Sequence, residues 1–169
     1  MKYLVLGGFL LTITFFFYEG LKKDPKVIPS NLIHEEIPNF KLNKTNFFPS
    51  FDKLNLLENK EFKIINFFAS WCPPCKVEHP NLMKLSKKFK IYGIAKKDSD
   101  IKIKNWLEKA GNPFEAIGHD YDGSAGINWG VYGLPETFIV NNYGKIVYKH
   151  VGPITVRDLK KINQILVIK

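Results

Sequence analysis

Phe68-Ala-Ser-Trp-Cys-Pro-Pro-Cys75 joins the end of an apolar run to a stretch with helical spacing. Residues 62–69 read as a buried strand, and Val77, Leu82, Leu85 and Phe89 recur at helical intervals through residue 90. The two cysteines, the only ones among 169 residues, therefore fall at a strand-to-helix junction. Two thiols three residues apart at a helix start can close a disulfide with little movement. The first faces unpaired backbone N–H groups and the positive end of the helix dipole, which lowers its pKa. Pro73 and Pro74 suit the first helical turn, where no N–H is required. The second thiol lies one turn deeper and acts when a mixed disulfide must be resolved. Cys72 is thus the expected attacking nucleophile and Cys75 the resolving thiol.

Other uses of the pair are weaker. A purely structural disulfide across so short a loop stabilises by only about 2 kcal/mol. A zinc site built from Cys72, Cys75 and His79 lacks an evident fourth ligand, and no metal is expected. Inert buried thiols would not call for Trp71-Cys-Pro-Pro-Cys75 between a strand and a helix.

Outward from this junction the chain alternates strands and helices. Residues 37–42 alternate enough for an opening strand, and residues 43–61 suggest short strands and turns. Residues 91–95 form a second buried strand. Ser99 or Asp100 caps a helix through Ala110, ended by Gly111-Asn-Pro113. A strand over 114–117 and a helix over 124–129 follow. Residues 137–140 and 145–149 make a hairpin around Asn141-Asn-Tyr-Gly144, and residues 155–166 a closing amphipathic helix. This order predicts an α/β sandwich with a mixed central sheet flanked by helices.

Residues 3–18 are apolar and uncharged, and no small-residue cleavage site follows them. Residues 1–20 are therefore expected to be an uncleaved transmembrane anchor, 21–36 a tether containing Pro25 and Pro29, and 37–169 one domain. Lys22, Lys23 and Lys26 outnumber Lys2, which by the positive-inside rule alone would keep the domain in the cytoplasm. Disulfide chemistry argues the opposite, because disulfides form spontaneously outside it. The net charge of +9 is almost all lysine, with Arg157 the only arginine. Such scattered lysines read as a solvated surface rather than a nucleic-acid site. His34, His119 and His150 are dispersed and read as surface or loop residues, and Trp106 and Trp129 as packing residues.

The junction resembles a thioredoxin-fold active site. Cys75-Lys-Val-Glu-His-Pro80 and Gly130-Val-Tyr-Gly-Leu-Pro-Glu-Thr-Phe138 are similar to a narrower group, the membrane-tethered thioredoxin-like reductases of cytochrome c maturation (CcmG/DsbE type). The resemblance implies a cis-proline at Pro135 facing the cysteines, with Leu134 offering its backbone to an extended substrate peptide. It places Trp71, Pro73 and Pro74 in support of the pair, and a helix kink at Pro80. It puts Glu78 and Glu136 near the active site, tuning cysteine pKa or selecting substrates; read without it, both are solvated glutamates. Asn66 stands where thioredoxins carry a buried aspartate, so a proton must pass through water or an acid such as Glu78. The implied client is apocytochrome c or a haem-ligation component, with electrons from a membrane thiol transporter and no cofactor beyond the redox-active disulfide. A monomer on the inner membrane, its domain facing the periplasm, is expected. Another client, such as a copper-site assembly protein or exported proteins at large, an oxidant, and a non-catalytic adaptor are the alternatives.

Overall fold

A computed structural model describes residues 2–22, 31–58 and 61–167. Half of the expected tether, residues 23–30, lies outside them. Helix α1 (Lys2–Leu21) is apolar over most of its length and buries none of its residues against the protein. At 1.5 Å rise per residue it is about 30 Å long, the thickness of a bilayer's hydrocarbon core, and is a candidate membrane anchor.

The remaining elements are α2 (Lys53–Leu57), β1 (Lys63–Phe68), α3 (Pro73–Leu85), β2 (Ile91–Lys96), α4 (Asp100–Ala110), β3 (Ala116–Asp120), α5 (Ser124–Asn128), β4 (Glu136–Val140), β5 (Ile146–Val151) and α6 (Val156–Val167). One five-stranded sheet runs in the order β3-β2-β1-β4-β5. β1, β2 and β3 are parallel, while β4 and β5 are antiparallel to their neighbours, which makes the sheet mixed. Helices pack on both faces, as a thioredoxin-like fold requires.

Strand alternation sorts the core into two layers. Ile64 and Phe68 of β1 and Ile139 of β4 meet Leu82 and Leu85 of α3, Ile103 and Leu107 of α4, and Ile162 of α6. Ile65, Phe67, Phe138 and Val140 face the other way, onto Ile37, Phe51, Leu56 and Trp129. Trp129 is the centre of that second layer, with ring centroids 5.8 Å from Phe40, 5.8 Å from Phe67 and 5.0 Å from Phe138.

Several sequence expectations shift. Residues 37–42 are not a strand. They form a strap across the second face, bridged to Lys145 through Glu36 and to His119 through Asn43. Its alternation arises because Ile37, Phe40 and Leu42 turn toward the sheet. Leu42 lies so close to β3 that a Cβ at Gly118 would stand 2.5 Å from its Cδ1. Helix α3 stops at Leu85 rather than near residue 90, and residues 86–89 continue as a turn in which the N–H groups of Lys88 and Phe89 both reach Leu85 O. Val77, expected to share the face of Leu82 and Leu85, is exposed on the outer side of α3, because five residues before Leu82 is about 140° around the helix from it. β3 begins two residues later than expected, and a five-residue helix, α2, occupies part of 43–61. Asp52 and Asn55 cap it reciprocally, which explains its place.

Candidate active site

Cys72 is the N-cap of α3, with extended backbone (φ −87°, ψ 109°), and Pro73 and Pro74 fill the first helical positions. Its Sγ accepts the N–H of Cys75 at 3.2 Å, one of the donors that no helical carbonyl can reach. The two cysteines are joined as a disulfide, with Cα atoms 5.3 Å apart. The same N–H would stabilise a Cys72 thiolate once the bond is reduced. A cavity of about 290 Å³ opens beside Cys72, bounded by Trp71, Pro73 and Pro74, by Lys96 and Lys97, and by Gly133 and Leu134. The Leu134–Pro135 peptide bond is cis, and the loop that carries it faces the Cys72 end of α3 across this cavity.

The approach to the cysteines is fastened from the turn between β2 and α4. Trp71 is largely exposed, but its indole N–H donates to Lys97 O at 3.1 Å. Asp98, which the sequence did not single out, is buried and accepts the backbone N–H of Ser70, the Ser70 hydroxyl at 3.0 Å and the Ser99 N–H at 2.7 Å. The only signal for it was its position before Ser99, at the end of a strand. Asp120 plays a similar part at α5, accepting the N–H groups of Ala125 at 3.0 Å and Gly126 at 2.9 Å.

Glu78 and Glu136 are both fully buried, so the reading of either as solvated is corrected. Glu78 lies one turn along α3 from Cys75, on the same buried side. One carboxylate oxygen accepts Asn66 Nδ2 at 2.9 Å, and the other the Ile154 N–H at 2.9 Å. Asn66 in turn donates to Thr137 Oγ1 at 3.0 Å, tying α3 to β1 and β4. Burial pushes the Glu78 carboxyl up to about 7, with the Ile154 and Asn66 hydrogen bonds opposing the rise.

Glu136 belongs to the opposite face of the sheet, two residues before Phe138. Its Oε1 accepts the N–H groups of Tyr132 at 2.8 Å and Gly133 at 3.2 Å, and its Oε2 pairs with Lys149 Nζ at 2.9 Å. Its carboxylate is spent inside the protein, and the expectation that it contacts substrate is replaced by support of the 130–135 loop. His79 turns its Nε2 to Gly111 O at 3.0 Å, with its ring against Trp106, away from a shared ligand set with the cysteines. His119 is no surface residue. It is buried on β3, 3.1 Å from Asp100 and stacked on Tyr121. His34 is exposed and His150 half-buried on β5.

A mixed sheet with a Cys-Pro-Pro-Cys pair at a helix N-terminus, facing a cis-proline loop, defines a thioredoxin-like thiol:disulfide oxidoreductase. Residues 34–166 match the Redoxin family, and the chain belongs to it. It is 37% identical over 145 residues to the thiol:disulfide interchange protein DsbE homolog of Paracoccus denitrificans, covering 82% of this chain and 76% of that protein. The thiol:disulfide interchange protein HelX of Rhodobacter capsulatus is 35% identical over 165 residues, covering 96% and 92%. Among solved structures, a thioredoxin-family thiol:disulfide interchange protein from Chlorobium tepidum superposes with a TM-score of 0.58 at 24% identity. That superposition covers 76% of this chain and 98% of the other, and shows the fold.

Proposed function

We propose that this protein is a membrane-anchored reductant that keeps the haem-attachment thiols of apocytochrome c, or those of a haem-ligation component, reduced outside the cytoplasm. The reading rests on the disulfide pair of Cys72 and Cys75 at a helix N-terminus, with a cavity of about 290 Å³ opening beside Cys72. The Gly130–Phe138 motif and the DsbE and HelX relatives support the choice of client. The apolar α1 supports an anchor in the inner membrane, and the chemistry supports a periplasmic domain. Electrons would enter from a membrane thiol transporter, and no further cofactor is needed.

In the reduced enzyme the Cys72 thiolate attacks one sulfur of the client disulfide. A bond forms between Cys72 and that sulfur, and the client's second sulfur leaves as a thiolate. Cys75 then loses its proton to Glu78 and attacks Cys72 Sγ. The Cys72–Cys75 bond forms, the mixed disulfide breaks, and the client departs carrying two electrons. Leu134 and Pro135 border the path along which an extended client segment would lie, and Trp71 the far side.

Glu78 gives this cycle a pH signature. Below about pH 7 its carboxyl is protonated and cannot accept the Cys75 proton, so resolution should slow by about tenfold per pH unit and level off above pH 7. In Glu78→Gln that inflection disappears from the single-turnover pH profile. Stability follows the same group with the opposite sign. Its pKa is raised from 4.5 to about 7 on folding, so the native chain holds the proton more tightly than the unfolded one. The stabilisation is full below about pH 4.5 and is lost as pH rises through 7, a change of about 3 kcal/mol. Urea unfolding at pH 5 and 8 should show the drop in wild type and not in Glu78→Gln.

The client is tested with the reduced full-length protein and two oxidised peptides, one with Cys-x-x-Cys-His and one with an unrelated disulfide of equal loop size. A kcat/KM at least about tenfold higher for the haem-attachment sequence supports the assignment. Equal values contradict it and leave a general reductase.

A further inference from the structure

The wall of the cavity opposite α3 is a loop, and it is held from behind the sheet. Residues 130–135 run from the end of α5 into β4, and Gly133 and Leu134 line the cavity beside Cys72. Gly130 turns the chain with a φ of +60°, in the left-handed region that favours glycine. Behind it stands Lys149, on β5, whose side chain is 4% exposed. Its Nζ donates to Gly130 O at 2.6 Å and pairs with Glu136 Oε2 at 2.9 Å. The same ammonium lies 4.4 Å from the centroid of the Tyr132 ring and 5.3 Å from that of Phe138. Glu136 completes the arrangement by taking the N–H groups of Tyr132 and Gly133 on its other oxygen. One buried ion pair therefore grips the loop at its first residue, in its middle and immediately before Leu134.

Stability alone does not account for this pair. Two opposite charges removed from water recover little more than their desolvation cost, and an apolar pair of the same shape commonly does as well. What an ammonium and a carboxylate supply, and an apolar pair cannot, is a set of directed bonds to three backbone groups. We propose that Lys149 is a positioning residue for disulfide exchange: through Glu136 and Gly130 O it sets the 130–134 loop at the height that receives a client segment beside Cys72. This rests on the reading of the cavity as the client's place. It adds a residue on the edge strand, outside the Gly130–Phe138 motif, to the determinants of client binding.

The test uses the full-length protein in detergent, the reduction of an oxidised extended peptide, and four forms: wild type, Lys149→Met, Glu136→Gln and the double variant. Each rate is taken relative to wild type on the same peptide, so a failure to prefer the haem-attachment sequence does not affect the result. Lys149→Met should raise KM about tenfold, change kcat by less than about threefold, and leave the Cys72–Cys75 reduction potential unmoved. The double variant carries no unpaired buried charge. It should recover the melting temperature lost in either single variant while KM stays high. If KM returns to the wild-type value together with melting temperature, the pair serves stability only and the proposal is overturned. It is overturned equally if Lys149→Met folds and binds peptide as wild type does, or if the reduction potential shifts in step with KM.

Discussion

Full-length Cys72→Ser should reduce a peptide disulfide at least about 1,000-fold more slowly than wild type, the order expected when a covalent nucleophile is removed. The fold should survive the change. Serine is nearly isosteric with cysteine and is a preferred N-cap, so its hydroxyl can accept the Cys75 N–H that Cys72 Sγ accepts now. Compared with the reduced wild type, the melting temperature should move by only a few degrees. Compared with the oxidised form, the variant also lacks the short-loop disulfide, worth about 2 kcal/mol. Stopped-flow reduction of a quenched peptide and circular dichroism check both halves. Activity within tenfold of wild type would mean that Cys75 attacks first, although Cys72 and not Cys75 lines the cavity.

Trp129→Ala should give the largest loss of stability. The side chain is wholly buried among Phe40, Phe67 and Phe138, and deleting an aromatic from such a site costs about 3–5 kcal/mol. Against a total stability of about 5–15 kcal/mol, that is a large share. Its urea midpoint should fall by more than about 1 M with the slope unchanged. The damage should also reach the active site, because Trp129 ends α5 and immediately precedes the 130–135 loop. A midpoint shift below about 0.5 M would show that the strap and α5 close over the hole.

The catalytic pair was legible because its chemistry is local. An N-cap, two prolines and a strand ending at Phe68 are all written within a few residues of Cys72. The hairpin was legible for the same reason, since Gly144 and the apolar runs beside it are near neighbours. Burial of charge was not. Glu78 is buried by partners 12 and 76 residues away, Asn66 and Ile154, and no pattern around it announces them. Glu136 likewise depends on Lys149, on the next strand, which read as one more member of a scattered lysine excess. Residues 37–42 misled because alternation reports an extended chain with one face covered, and a strap laid across a sheet satisfies that as well as a strand within it. Val77 misled because it stands five residues before Leu82, which places it about 140° around α3 from the side that buries Cys75, Leu82 and Leu85, although it is as apolar as they are.

The attack of Cys72 on a client disulfide is tested most directly by Cys75→Ser expressed as the full chain in its own membrane, with covalent adducts collected on a non-reducing gel and identified by mass. Without the resolving thiol, a mixed disulfide through Cys72 should accumulate, release its partner on reduction, and be absent when Cys72 is also replaced. Apocytochrome c or a haem-ligation component should dominate the trapped species. No adduct at all, or adducts that persist without Cys72, would contradict the account.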